Sequence, residues 1–184
     1  MVNKKSTSTS EIMDVCKQLV VEKGLHELNM RDVAARCNVA LGSLYNYYPS
    51  KNDLLIATIG SIWQEIMEGF DREGSDFEKK VEELYSLIKN GSDRYPNFFN
   101  LHALGLSKNN KDKGRIAMDR YFGYIKNVLV YSLRNDPNIN KEFFTQSMSD
   151  EMFVEFVFDN IINLLLRKFD DCTPLLYIVR KCIY

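Results

Sequence analysis

Histidine is scarce. His26 and His102 are the only two in 184 residues, and they stand far apart in sequence. There is no HExxH, no Glu-x-x-His pair, no nucleophile elbow and no Gly-rich phosphate loop. The common metal-hydrolase, acyl-transfer and nucleotide-binding signatures are therefore missing, which argues against an enzyme. Neither sign of charge dominates. Lys and Arg total 24 against 25 Asp and Glu, for a net charge of -1, so any surface for a polyanion must be local. Four cysteines, Cys16, Cys37, Cys172 and Cys182, form no CxxC pair and no metal-like spacing. They are expected to be buried free thiols of a reducing cytosol, and no metal or other cofactor is expected. No apolar run reaches the roughly 18 residues that a membrane helix requires. The opening MVNKKSTSTS is polar and has no signal-peptide pattern. The expected location is cytoplasmic, with no membrane partner. Alternating runs and Gly-rich turns at strand spacing are few in the second half, which leaves little room for a sheet.

What is present is helical. The hydrophobic share is 45%, enough for a real core. Residues 1–7 read as an arm whose Lys4 and Lys5 are either solvated or in reach of a phosphate backbone. Ser8 and Glu11 make a capping box for a helix over 9–23, with Ile12, Cys16, Leu19 and Val20 as its buried stripe and Gly24 as its stop. Asn29 caps a second, short helix, with Asp32 placed to reach back to the cap. Val33, Ala34 and Cys37 give that helix one apolar face, and Asn38 suits the left-handed stop. A third helix covers 41–47 and is ended by Pro49. Two short helices across a tight turn describe a helix-turn-helix, whose second helix can enter the DNA major groove. Before residue 52 there are seven basic and five acidic side chains, a balance of about +2 that is only permissive for DNA.

Ser50 and Asp53 cap a helix over 51–70, long enough to link the first unit to a second domain and act as a lever. Ser75 and Glu78 suggest a cap for a helix to about 90, ended by Gly91. Pro96 opens another to about 106. Further helices are expected over 115–134, 141–146, 149–169 and 173–181. The helix over 149–169 is apolar around most of its circumference, with Glu151, Glu155, Asp159, Asn163 and Arg167 as its wet edge. Such a helix needs two partners, its own core and either a second copy of the chain or more of the same core. Phe153, Val157, Ile161, Leu164 and Leu165 are the expected dimer contacts.

The first 55 residues resemble the DNA-binding domain of the tetracycline-repressor (TetR) family of transcriptional regulators. The resemblance is carried by Ile12, Cys16, Leu19, Gly24, Met30, Arg31, Val33, Ala34, Val39, Gly42, Leu44, Tyr45, Tyr47, Ser50, Lys51, Leu54 and Leu55. The run GSLYNYYPSK is similar to the family's Gly-x-Leu-Tyr-x-Tyr-Phe-x-Ser-Lys. Departures are Asn29 for threonine or serine, Asn38 for glycine, Tyr48 for phenylalanine, Ala40 where a hydroxyl often caps the recognition helix, and apolar Leu41. The resemblance implies an all-α protein, with a three-helix DNA-binding domain at 1–50 and a helical bundle for ligand binding and dimerisation at 51–184. It implies a repressor that binds a palindromic operator in double-stranded DNA as a homodimer and responds to a small apolar or aromatic ligand.

On that resemblance the DNA-facing residues are Asn29, Met30, Arg31, Leu41, Gly42, Ser43, Tyr45, Tyr47 and Lys51. Gly42 lets the backbone approach, Ser43 bonds a base or a phosphate, and Lys51 adds charge at a helix N-terminus. Trp63, Met67, Phe99, His102 and Phe122 are the ligand candidates. Aromatic residues at helical spacing equally suit a plain core, and His102 equally suits a satisfied core or interface histidine. Two other functional readings stand beside this one: a regulator of the same fold with no small-molecule inducer, and a helical protein-interaction module.

Overall fold

The computed structural model describes residues 7–96, 98 and 113–184, with only the backbone at 113–117. Among the described residues there are eight α-helices and no strand: α1 Thr9–Lys23, α2 Met30–Arg36, α3 Leu41–Tyr47, α4 Lys51–Ile66, α5 Phe77–Arg94, α6 Lys113–Asn135, α7 Asp150–Leu166 and α8 Thr173–Ile183. The chain divides into two units. One comprises Met1–Glu65 and Ser92–Met118, the other Ile66–Gly91 and Asp119–Tyr184.

In the first unit the local signals hold. Ser8 and Glu11 form the reciprocal box at the start of α1, and Gly24 closes that helix at φ +86°. The Asn29 side chain accepts from the Asp32 N–H at the start of α2. The Asp32 carboxylate does not reach back to the cap as expected; Lys23 holds it at 2.9 Å. Asn38 sits at φ +54°, in the left-handed region. Ile12, Cys16, Leu19, Leu28, Met30, Val33, Ala34, Leu44, Tyr48 and Leu54 make one buried core under α1 to α4. Near the far end of α4, Glu65 accepts from Lys17 at 2.9 Å and from Tyr95 at 2.9 Å, and pairs with Arg94 at 2.5 Å. Trp63 is fully buried and packs against Phe98 with ring centroids 6.0 Å apart.

The second unit is built on α5 to α8. Phe77, Val81, Leu84 and Ile88 of α5, Ile125, Val128 and Leu129 of α6, Phe153, Val157 and Ile161 of α7, and Leu175, Leu176 and Val179 of α8 are buried there. Asp136 is 1% exposed. It accepts from the Phe77 and Asn138 N–H groups and from the Tyr184 hydroxyl, tying the start of α5 and the end of α8 to the segment after α6.

Several expected boundaries move. Helix α4 stops at Ile66 rather than 70, because Gly69 turns the chain at φ +82°. Asp76, not Ser75, caps α5 by accepting from the Lys79 N–H at 2.9 Å. The segment 141–146 forms only a 3-10 turn at Lys141–Phe143. Helix α7 stops at Leu166, where Lys168 takes φ +58°. The helix expected after Pro96 lies almost wholly outside the described residues.

Gly91 does not end α5, which continues to Arg94. It is glycine for another reason. A Cβ built on it would lie 2.6 Å from Ile66 Cγ1 and 2.7 Å from Cδ1, with Cγ2 at 3.0 Å. Both branches of Ile66 are in the way, so no single rotation clears them. Gly91→Ala is expected to lose about 1–2 kcal/mol on urea unfolding: overpacking costs about 1–3 kcal/mol, and the better helix propensity of alanine returns up to about 1. Adding Ile66→Ala to Gly91→Ala should then cost less than Ile66→Ala costs alone.

Candidate nucleic-acid interface

Helix α3 is seven residues long, and its orientation is set by Leu44, which is fully buried. At about 100° per residue, Leu41 falls near Leu44 and leans on the same core, where it is half-buried. The opposite side then carries Gly42, Ser43 and Asn46, with Tyr45 and Tyr47 on the two flanks. Gly42, Asn46 and both tyrosines are exposed, and Ser43 is partly so. A Cβ on Gly42 would meet nothing within 4 Å. Glycine costs about 0.5–1 kcal/mol in a helix, and the packing of the chain gives no reason for it here. The close approach that it permits is to something outside the chain. Ala40 makes no side-chain cap, so the α3 start rests on backbone bonds such as Ser43 N–H to Ala40 at 2.8 Å.

The basic groups separate into two sets. Lys17 is held by Glu65 and Asp14, Lys23 by Asp32, and Arg36 by both carboxylate oxygens of Glu22. The Lys23 ammonium holds the Asp32 carboxyl below its ordinary range, and Arg36 does the same for Glu22. Arg31 and Lys51 are exposed, and among the described residues neither has an acidic partner. Arg31 lies in the first turn of α2. Lys51 opens α4, beside amides that are only partly taken up: Ser50 Oγ accepts from the Asp53 N–H at 3.1 Å. Charge left over at two helix N-termini flanking α3 is a phosphate-binding arrangement.

Of the residues expected at DNA, Arg31, Gly42, Ser43, Tyr45, Tyr47 and Lys51 lie on or beside this surface. Met30 does not: it is 5% exposed and anchors α2 in the core. Leu41 is partly taken up by the same core. Asn29 is half-buried, and both ends of its amide are used locally, Oδ1 by Asp32 and Nδ2 by the Glu27 carbonyl at 3.1 Å. Asn46 is absent from the expected set. A polar residue one turn after Gly42 on a short helix is the signal that would have found it, since an asparagine side chain can bond adenine at two points.

The other expected sites fare differently. Phe99 and His102 lie outside the described residues. Trp63 is fully buried, whereas Met67 and Phe122 are half-buried; Phe122 stacks edge-on against Phe158 at 5.0 Å. Phe153, Val157 and Ile161 are at most 3% exposed and belong to the core of their own unit, and Leu164 and Leu165 are half-buried. The outward apolar side chains are instead Met152, Phe156 and Leu166 on α7 and Tyr177 and Ile178 on α8. Periodicity on a helix that is apolar all round cannot say which apolar face is inward. Burial keeps the thiols of Cys16 and Cys172 protonated, each raised to about 11, and all four cysteines are free. Among the described residues no helix is long and apolar enough to cross a membrane.

A three-helix unit that presents a short, outward-facing α3 and is followed by further helices, with no sheet and no acidic partner for the flanking cations among the described residues, defines a helix-turn-helix protein of the all-α class. Residues 12–58 match the model of the family described as bacterial regulatory proteins, tetR family. That match covers about a quarter of the chain and is a likeness of its helix-turn-helix unit. It is 38% identical over 61 residues to the HTH-type transcriptional repressor KstR of Mycolicibacterium smegmatis, covering 33% of this chain and 30% of that repressor. The match thus spans under a third of the length of that curated relative. The likeness to solved structures runs further. The fatty acid degradation regulator FadR from Bacillus halodurans aligns over 98% of this chain and 94% of its own, at TM-score 0.64 and 20% identity. FadR from Bacillus subtilis, solved in complex with stearoyl-CoA, aligns over 95% of each chain at TM-score 0.62 and 17% identity. At these identities the likeness is one of fold.

Proposed function

We propose that this protein is a cytoplasmic transcriptional repressor that binds a palindromic operator in double-stranded DNA as a homodimer and is released by a small apolar ligand. The observation that carries the reading is the surface of α3. Gly42, Ser43 and Asn46 face outward where, among the described residues, no packing requires a glycine and Arg31 and Lys51 stand beside them without acidic partners. In this reading residues 1–50 are the DNA-binding head. Gly42 admits the backbone to the groove, Ser43 and Asn46 reach base edges, Arg31 and Lys51 bind phosphates, and Tyr45 lies on a groove wall.

Residues 51–184 then serve for dimerisation and ligand binding. Met152, Phe156, Leu166, Tyr177 and Ile178 supply an exposed apolar surface on α7 and α8 of the kind that a symmetric interface buries. The ligand carries an apolar chain in this reading, because a protein of similar fold was solved with stearoyl-CoA, whose acyl chain is apolar.

The test is selection from a fragmented genomic library with the purified full chain, followed by gel shifts of recovered fragments over a salt series. Recovered fragments should share an inverted repeat, and binding should fall steeply with salt. An absence of enrichment, together with no shift at low salt, would remove the reading. For the ligand, stearoyl-CoA is the first probe: it should raise the melting temperature and release the selected duplex. A duplex that stays bound while the melting temperature is unmoved would rule out long-chain acyl thioesters.

A further inference from the structure

Few contacts fix the orientation of helix α3. Its start carries no side-chain cap, and Leu44 is its one buried residue, with Leu41 half-buried beside it. Apolar contacts are non-directional, so they hold the helix on the core without closely fixing its rotation. Tyr47 supplies a directional contact. It is 41% exposed, yet its hydroxyl donates to the Thr7 carbonyl at 2.5 Å, across 40 residues of sequence. A phenol has one proton to donate, and a phosphate only accepts. A Tyr47 that holds Thr7 therefore has no proton for DNA.

The far end of this strut is itself fixed. Thr7 is 8% exposed, its hydroxyl donates to the Glu11 carboxylate at 3.1 Å, and the Cys37 thiol lies against it. Helix α1 does not need these contacts, because Ser8 and Glu11 already close its first turn by reciprocal bonds of 3.1 and 3.0 Å. The near end lies beside the outward face of α3. Tyr47 follows Ser43 by four positions and Asn46 by one. At about 100° per residue, it leaves the helix about 40° from Ser43 and about 100° from Asn46. Turning α3 about its axis would swing both side chains away from a base edge, and hydrogen bonds weaken steeply when misaligned. Arg31 and Lys51 stand on other helices, so their reach to phosphates would be unaffected.

We infer that Tyr47 is a positioning residue for base reading: its hydroxyl ties the end of α3 to Thr7 and sets the rotation at which Ser43 and Asn46 meet base edges. The inference rests on the DNA-binding reading above. Phosphate contacts carry no sequence information and base contacts do, so the strut acts on specificity rather than on general affinity.

The test compares the full-length wild type, Tyr47→Phe, Thr7→Gly and the double variant by fluorescence anisotropy on two labelled duplexes, the selected repeat and a scrambled one, over a salt series. Tyr47→Phe keeps the ring and removes only the hydroxyl. It should lower affinity for the selected repeat about 2- to 10-fold, the range that one net hydrogen bond allows, and leave the scrambled duplex and both salt slopes unchanged. Thr7→Gly loosens the far end and should act in the same way. The double variant should match the larger single loss, because the strut is already cut. Equal losses on the two duplexes would place the hydroxyl on a phosphate, or reflect a smaller folded fraction, and would overturn the inference. So would single losses that multiply, or a Tyr47→Phe variant that discriminates like the wild type. A wild type that binds neither duplex, or both alike, would overturn the DNA-binding reading itself, which separates the two failures.

Discussion

Replacing Arg31 and Lys51 together by alanine is expected to weaken binding to the selected duplex by about 10²-fold or more near physiological salt, and to lower the salt slope by roughly 0.9 for each phosphate left without its cation. The fold should survive. Both side chains are exposed and, among the described residues, have no acidic partner to strand. Substitutions of that kind move stability by no more than about 0.5 kcal/mol. Arg36→Ala is the control that gives the result its meaning. Its guanidinium is already neutralised by Glu22, so removing it should change DNA affinity far less than removing either unpaired cation. Equal decreases from Arg36 and from Arg31 with Lys51 would show that net charge alone attracts DNA, and would remove the assignment of Arg31 and Lys51 to particular phosphates. Fluorescence anisotropy with the melting temperature measured in parallel decides between these outcomes.

Asp136→Ala is expected to destabilise the second unit by about 1–3 kcal/mol on urea unfolding. The carboxylate is 1% exposed and accepts from the Phe77 N–H at 3.0 Å, the Asn138 N–H at 2.9 Å and the Tyr184 hydroxyl at 2.5 Å. Truncation strands the buried Phe77 N–H, and an unsatisfied buried donor costs about 1–3 kcal/mol; Asn138 and Tyr184 are exposed residues whose donors can turn to water. Asp136→Asn keeps an acceptor and should fall between wild type and alanine. Acid should act on the same staple. Burial works to raise the Asp136 pKa, but the bonds from Tyr184, Phe77 and Asn138 outweigh it and hold the folded-state value below normal. Arg134 lowers Asp150 to about 2 by the same logic. A depressed folded-state pKa stabilises the fold above the unfolded-state value, and that contribution is lost as pH falls through the folded-state value. Stability should therefore decline between about pH 4 and pH 2, with a shallower slope in Asp136→Asn. An alanine variant as stable as wild type would show that the three donors find other partners.

The two predictions draw on different kinds of information. Arg31 and Lys51 are legible in the sequence as basic residues at the starts of short helices. That Arg36, equally basic and just five residues from Arg31, is occupied is not legible, because Glu22 lies 14 residues back on another helix. Asp136 sits in the chain-breaking segment NDPNIN, and nothing local marks it as buried; its partner Phe77 is 59 residues away. Gly91 is ambiguous for the same reason. A glycine after a helical run signals a stop by local rules, whereas here it makes room for Ile66. On α7 the sequence offers apolar residues on nearly every side, and packing alone chooses Phe153, Val157 and Ile161 for the core and leaves Met152 and Phe156 outside.

The amino-acid sequence by itself determined helices α1 to α3, the caps at Ser8, Asn29 and Ser50, the left-handed stop at Asn38 and the family motif through Lys51. These depend on hydrogen bonds and side-chain periodicities that reach no further than three or four residues. The tertiary structure decided which cations have no acidic partner among the described residues, which apolar face of α7 points outward, and that the Tyr47 hydroxyl holds Thr7. Each of those is a choice between partners that only chain folding brings within bonding distance, and no local pattern can rank partners that it does not contain.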